Sequence, residues 1–256
     1  MMVFRVIPCL LLHKGGLVKT IKFKRPKYVG DPINAVRIFN EKEVDELLLI
    51  DIDATVEKRE PEYDKIESIV SEAFMPVCYG GGVRSIKQMK RLFYNGVEKI
   101  SISNAAINNP ELISEASSVF GSQSVVVTLD VKKTFMTNKY QVVTLNAKKR
   151  LGYDPIKAAR KIASLGAGEL VINNVDHDGL MNGYDFDLME KICSSINIPV
   201  VALGGAGKLD DSSNVIKQCG VSAAAAGSIF VFQGVHRAVL INYPSQKEIS
   251  KLFEDI

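Results

Sequence analysis

The feature that most constrains how this chain can fold is that its second half repeats its first. Glu46-Leu47-Leu48 leading to Asp53 is matched by Glu169-Leu170-Val171 leading to Asp176, and Pro76-Val77 leading to Gly81-Gly82 is matched at the same spacing by Pro199-Val200 leading to Gly204-Gly205. Gly96-Val97 and Gly220-Val221 continue the series. Within each half, short apolar runs alternate with amphipathic segments, the pattern of βα units around a parallel sheet. Strands are expected to begin near Arg5, Glu46, Pro76, Lys99, Ser124, Glu169, Pro199 and Ala223. Helix start signals follow at Asp31-Pro32, Pro61-Glu62, Ser85, Asn109-Pro110, Asp154-Pro155, Asp185, Asp210 and Ser245. Eight of each, in two matched fours, predicts an α/β fold: a single (β/α)8 TIM barrel over residues 1–256, with half-barrels of about 1–122 and 123–256.

Composition narrows the class of function. With 46% hydrophobic and 24% charged residues the chain has enough apolar material for one large core. The opening MMVFRVIPCLLLHKGG is interrupted by Arg5 and offers no small-residue cleavage site, so it reads as a buried strand rather than a signal peptide. No apolar stretch is long enough for a membrane span, and Val221 to Phe232 comes nearest. Cys9, Cys78, Cys193 and Cys219 are scattered without metal-ligand spacing, which suits reduced core thiols in a cytoplasmic protein and gives no reason to expect a metal or cofactor. A net charge of +3 does not imply nucleic acid. Lys14, Lys19, Lys22, Lys24, Arg25 and Lys27 crowd into one early segment, expected to be a loop. If that loop lies at the active face it is a lid over an anionic substrate; otherwise it is merely solvated.

In such barrels binding groups gather at the C-terminal ends of the strands, with phosphates favoured after strands seven and eight. Gly204-Gly205-Ala206-Gly207 and Ala226-Gly227-Ser228 stand at those places, offering backbone N–H groups and a hydroxyl to an anion. The first half supplies the same device in Gly80-Gly81-Gly82 and Ser101-Ile102-Ser103-Asn104. Two cradles on opposite sides of one mouth suit a small ligand with two phosphates. Lys19, Asp176, Asp178 and Gly179 complete the candidate binding set.

The ends of strands one and five differ in one respect: Leu11 occupies in the first half the place of Asp130 in the second. An aspartate closing an apolar strand is costly to bury, so Asp130 is the candidate general acid or base, the alternative being a structural salt bridge to Lys132 or Lys133. Asp51, Asp53, Asp176 and Asp178 close strands two and six and could bind hydroxyls or amines, or cap loops. Of His13, His177 and His236, His177 is expected to face the mouth, and the absence of GxSxG argues against nucleophilic hydrolysis.

Together these residues resemble a known family. Gly30-Asp31-Pro32, Asp45-Glu46-Leu47, Tyr79 to Val83, Phe120 to Val127, Gly166 to Glu169, Asp176 to Gly179, Gly183-Tyr184-Asp185 and Gly204 to Lys208 are similar to the cyclase subunit of imidazole glycerol phosphate synthase over nearly the whole chain. The resemblance implies a lyase-type barrel of histidine biosynthesis that forms a heterodimer. A glutaminase docks on its N-terminal face and delivers ammonia, which the barrel uses to convert a two-phosphate substrate to imidazole glycerol phosphate and an aminoimidazole carboxamide ribotide. It assigns Arg5, Glu46, Lys99 and Glu169 to a ring of alternating charges that gates the ammonia, and Glu98 and Gln123 to the glutaminase contact. Without the resemblance, those strand beginnings would read as solvent-exposed ends.

Two departures modify that expectation. The family uses paired aspartates, and here the first is Leu11. The stretch Gln233 to Ser245 is extended and is expected on the active face. With Pro8 to Leu12 and Leu17 to Thr20, these departures resemble a divergent branch tied to surface-polysaccharide synthesis, which implies ammonia handling for an acetamidino sugar alongside a sugar amidotransferase. The competing readings are an active cyclase of histidine biosynthesis and a phosphosugar isomerase like the sister barrel.

Overall fold

The structure, a computed structural model, describes residues 4–254 other than Met136. Eight strands close on themselves, every neighbour parallel: β1 (Arg5–His13), β4 (Leu47–Asp51), β5 (Val77–Gly80), β6 (Lys99–Ile102), β7 (Val125–Lys133), β10 (Glu169–Asn174), β11 (Val200–Leu203) and β12 (Ala223–Ala226), which pairs back to β1. Closure leaves the barrel without edge strands. Around it lie α1 (Pro32–Glu41), α2 (Tyr63–Val70), α3 (Ile86–Tyr94), α5 (Glu111–Phe120), α6 (Pro155–Ser164), α7 (Phe186–Cys193), α8 (Leu209–Cys219) and α10 (Gln246–Leu252). The short α4 (Asn104–Asn108) and α9 (Ser228–Val231) follow the fourth and eighth barrel strands at matched places. The fold is the expected (β/α)8 barrel with an internal two-fold repeat.

Local sequence explains where the helices start. The Asp31 carboxylate accepts from Asn34 N with Pro32 at the first helical position, and Asp154 accepts from Ile156 N and Lys157 N with Pro155 beside it, so the first helix of each half opens on one device. Ser85, Asp185 and Ser245 cap as their positions predict. α8 begins at Leu209, slightly before the Asp210 signal, because Asp211 Oδ2 accepts from the N–H groups of Gly207 and Lys208. Alternation along the strands then divides the apolar residues between two cores. The larger lies between sheet and helices; the smaller fills the barrel itself with Ile7, Cys9, Leu48, Cys78, Val126, Val171, Val201, Ala223 and Ala225. β12 is four fully enclosed alanines, so that wall of the interior is built from the smallest side chains.

Two expectations need correction. The early basic segment is not a loop but a hairpin, β2 (Gly16–Ile21) and β3 (Lys24–Gly30), which continues β1 above the barrel and turns at Lys22 and Phe23, both in the left-handed region. Its counterpart is β8 (Tyr140–Thr144) and β9 (Lys149–Arg150) after β7. The extension after β12 lies on the active face only in part. Its small hairpin, β13 (Phe232–Gln233) and β14 (Ala238–Val239), reaches Leu180 through Arg237. The chain then runs down the outside of the barrel, because the aromatic ring of Tyr243 packs with Phe39 and Phe230 in the outer core and its hydroxyl donates to Val6 O.

Candidate active site

The N-terminal end of the barrel is closed by charge. Arg5 pairs with both Glu46 and Glu169, and Lys99 Nζ lies 2.9 Å from both Glu46 oxygens and 3.3 Å from Glu169 Oε2, a closed ring of alternating sign. These are not the solvent-exposed strand ends that position alone suggests, since Glu46 is 4% and Glu169 6% exposed. Burial works against the charge on Lys99 and Arg5, yet the two glutamates outweigh it and raise both pKa values, so both cations stay charged. Glu98 and Gln123 sit exposed on the same face, near exposed Phe74, Tyr94 and Val119 at the loops and helix ends that precede β5, β6 and β7.

At the opposite end, a cavity of about 400 Å³ opens among the loops of the first half and reaches down to Ser101, Thr128, Asp130 and Asn173. Gly81, Gly82, Ser103 and Asn104 line it. A smaller one of about 40 Å³ is lined by Lys19, Asp178, Gly179, Gly204, Gly205, Gly227 and Ser228. Cys9, Leu11, Phe23, Asn173 and Leu203 border both, so the two spaces meet beneath Phe23 at the tip of the β2–β3 hairpin. Apart from Asp176, the candidate binding residues therefore gather at one mouth. Ser228 Oγ is buried there without a hydrogen-bond partner.

The repeat is visible in atomic detail. Gly81 packs on the backbone of Asp51, where an added Cβ would collide with the carbonyl oxygen, and Gly204 packs in the same way on Asn174. Asp51 Oδ1 caps the N–H groups of Asp53 and Ala54, and Asn174 Oδ1 those of Asp176 and His177. Asp53 Oδ2 accepts from Lys14 N at 2.8 Å, and Asp176 Oδ2 from Lys133 N at 2.9 Å. Asp53 and Asp176 thus peg the roots of the two hairpins. Asp176, read from sequence as a binding residue, lines neither cavity; its other oxygen is 3.9 Å from Lys132. Asp51 borders the larger cavity, but Arg59 holds its carboxylate at 2.8 Å. His177, expected to face the mouth, lines neither of these cavities, and its Nδ1 is 2.8 Å from Gly183 O.

Each hairpin also reaches across to the other half. Asp178 accepts from Lys19 Nζ at 2.6 Å, Thr20 Oγ1 at 2.9 Å and Phe23 N at 3.3 Å, while Asn146 Nδ2 donates to Ile52 O at 2.9 Å. Leu145, Asn146 and Ala147 all have positive φ, a strained turn for side-chain-bearing residues at the rim of the larger cavity.

Asp130 stands at the floor of the mouth. Neither Lys132 nor Lys133 pairs with it, since these turn to Asp176 and Asp185. Burial pushes its carboxyl up to about 7, opposed by the Asn173 amide that donates to it at 3.0 Å and assisted by the charge of Asp178. A carboxyl poised near neutrality can both give and take a proton. In the barrel ladder Asp130 is the direct partner of Asn173, and Leu11 the partner of Ile50. The repeat therefore sets an apolar pair where the other half has a polar one. Sequence reading missed Asn173, although a polar residue matching Ile50 in the repeat was a signal. Burial also raises the Cys9 thiol to about 12 and pushes the Cys78 thiol well up, leaving unreactive thiols within the barrel.

Comparison with known proteins agrees with this geometry. The sequence profile described as "Histidine biosynthesis protein" matches residues 5–236. The chain is 50% identical to a protein of Vibrio vulnificus provisionally named as a HisF-type imidazole glycerol phosphate synthase subunit, across 98% of this chain and 96% of that one. It is 49% identical to a similarly named protein of Leptospira borgpetersenii, across 97% and 98%. With the imidazole glycerol phosphate synthase subunit HisF of Natranaerobius thermophilus it shares 39% identity, again across 97% and 98%. A closed parallel barrel, the charge ring at its base, the matched glycine loops at its mouth and similarity over nearly the full length place this chain in the HisF family of imidazole glycerol phosphate synthase subunits.

Proposed function

We propose that the protein is the ammonia-using subunit of a glutamine-dependent complex. A glutaminase docks on the N-terminal face, ammonia enters through the ring of Arg5, Glu46, Lys99 and Glu169, and a ligand with two phosphates waits at the mouth. The observation that carries this reading is the buried ring at one end of an interior lined by small and apolar side chains, with Asp130 at the other end. Neutral ammonia crosses such an interior more readily than ammonium, whose charge is costly to desolvate. Exposed Phe74, Tyr94 and Val119 beside Glu98 and Gln123 supply the apolar contact a partner needs. Gly81, Gly82, Ser103 and Asn104 hold one phosphate; Gly204, Gly205, Gly227 and Ser228 hold the other, with Lys19 beside them.

The finer reading concerns what the ammonia is for. The first half carries Leu11 at the strand end where the second carries Asp130, leaving no second carboxylate at that place, so this subunit serves the amidination of a surface-polysaccharide sugar, together with a sugar amidotransferase. A working cyclase of histidine biosynthesis is the second reading, favoured by the near-neutral carboxyl of Asp130. Purified protein given the two-phosphate aminoimidazole substrate and excess ammonium decides between them through the loss of substrate absorbance. Negligible turnover is expected, raised by Leu11→Asp; wild-type turnover at the rate of an ordinary cyclase rejects the amidination reading. For the partner, Tyr94→Asp and Glu98→Lys are expected to weaken glutaminase binding about tenfold or more. Unchanged binding and coupling in both variants would refute the docking face.

A further inference from the structure

Charge is unevenly placed on this chain. Residues 14–30, 132–153 and 232–245 hold thirteen of the 32 Lys and Arg and none of the 29 Asp and Glu, so the remainder of the molecule is net acidic. All three segments stand at the mouth end: β2–β3 continues β1, the turn at Phe135 and β8–β9 continue β7, and β13–β14 follows α9. They also meet. Lys27 Nζ donates to Arg237 O at 3.1 Å and stands 5.0 Å over the ring of Phe232. Lys133 N and Arg237 Nη2 bond two points of one loop, Asp176 Oδ2 and Leu180 O, so the Phe135 turn and β13–β14 flank the same residues.

These cations are not the ligand site. Of the thirteen, Lys19 alone borders either cavity, and the larger cavity has its own cations in Lys58, Arg59 and Arg84. Among the described residues, only Lys19, Lys132 and Lys133 of the thirteen are ion-paired. Between them apolar side chains face water. Phe135 is 97% and Val235 93% exposed, at the turns of separate hairpins, and Val239 and Leu240 are half-exposed. Steering of a small anion accounts for cations but has no use for these side chains.

The chemistry of the face indicates what covers it. Charge of one sign over three segments complements an extended anionic surface. Ten of the thirteen cations are lysines, in which protein interfaces are depleted, and whose long stems keep the ammonium hydrated while it meets lipid phosphate. Aliphatic side chains such as Val235 and Leu240 offer no platform for stacking bases. A bilayer interface suits both features, since apolar tips enter the acyl boundary while lysines lie among the headgroups. We propose that the three basic hairpins seat the protein on an anionic phospholipid surface, mouth end first, with Phe135 and Val235 entering the headgroup layer. The opposite face, with Tyr94 and Glu98, stays free, so the proposal stands or falls independently of glutaminase docking.

Sedimentation of the full chain with vesicles of phosphatidylcholine containing about one-third phosphatidylglycerol, at about 0.15 M salt, tests this. Binding is expected to these vesicles and not to pure phosphatidylcholine, with release at about 1 M salt. Phe135→Asp with Val235→Asp should weaken binding about tenfold or more, and Lys24→Glu with Lys139→Glu by a similar factor. All four positions are exposed, so both double variants should melt as wild type does. The chain contains no Trp, so Val235→Trp places a sole indole at the turn, and its emission should shift to the blue on binding. No preference for the anionic vesicles, an unshifted indole, or undiminished binding in either double variant overturns the proposal. So does binding of polyglutamate or an RNA duplex as tight as that of the vesicles and indifferent to Phe135→Asp with Val235→Asp, which assigns the face to an acidic protein or to nucleic acid.

Discussion

Lys19 Nζ lies 2.6 Å from Asp178 Oδ1, with both side chains 9% exposed, and this pair ties the first hairpin across the mouth to the second half-barrel. Thr20 Oγ1 and Phe23 N donate to the same carboxylate. Removing the acceptor leaves a buried ammonium and two further donors unsatisfied, at a cost of roughly 3–5 kcal/mol. Asp178→Ala is therefore expected to lower Tm by roughly 10 °C and to speed hydrogen exchange across residues 16–30. Lys19→Met should do less, since Asp178 keeps its other donors. A melting point for Asp178→Ala within about 2 °C of wild type would show that the hairpin is held by something else.

Asp130 makes stability depend on pH in a definite direction. Its carboxyl sits at about 7 in the folded protein against an ordinary value of 3.8, so the native state retains a proton that the unfolded chain has released. Its contribution is neutral below about 4, becomes unfavourable as pH rises to 7, and stays constant above that. The cavity admits solvent, which screens part of the effect and leaves about 1–2 kcal/mol at pH 8. Asp130→Asn, which resembles the protonated acid, should accordingly gain Tm relative to wild type between pH 4 and pH 8. A constant difference in Tm across that range would contradict the raised pKa.

Asp176 and Asp53 act alike through the backbone. Each accepts from the N–H of a lysine at the root of a hairpin, Lys133 and Lys14 respectively. Asp176→Ala should cost about 1–2 kcal/mol and increase exchange in residues 131–150, with Asp53→Ala doing the same for residues 13–30. Phosphate binding, measured by calorimetry, should change by less than about threefold in Asp176→Ala. A large loss of phosphate affinity without a change in stability would return Asp176 to the binding set.

How much was legible beforehand varies by feature. Asp31-Pro32 and Asp154-Pro155 mark helix starts because capping is local, settled within a few residues. Gly81 and Gly204 were recognisable because their type and spacing recur. The fate of the aspartates was not legible: Asp51, Asp53, Asp176 and Asp178 look alike in sequence, yet Arg59, Lys14, Lys133 and Lys19 claim them differently. Lys14, Lys133 and Lys19 come from other strands and hairpins, and Arg59 folds back from eight residues further along the loop. The course of Gln233 to Ser245 was hidden for the same reason, since Tyr243 finds its acceptor at Val6.

The sequence by itself determined the barrel, its two-fold repeat and the mismatch of Leu11 with Asp130, because apolar periodicity, helix caps and recurrent glycines act over short range or through simple repetition. Position in the chain would leave Arg5, Glu46, Lys99 and Glu169 as exposed strand ends, and the family resemblance groups them; the tertiary structure closes them into one ring and makes Asn173 the partner of Asp130. Register between neighbouring strands brings these residues together, and a carboxylate's role follows from which cation or N–H group that register sets within reach.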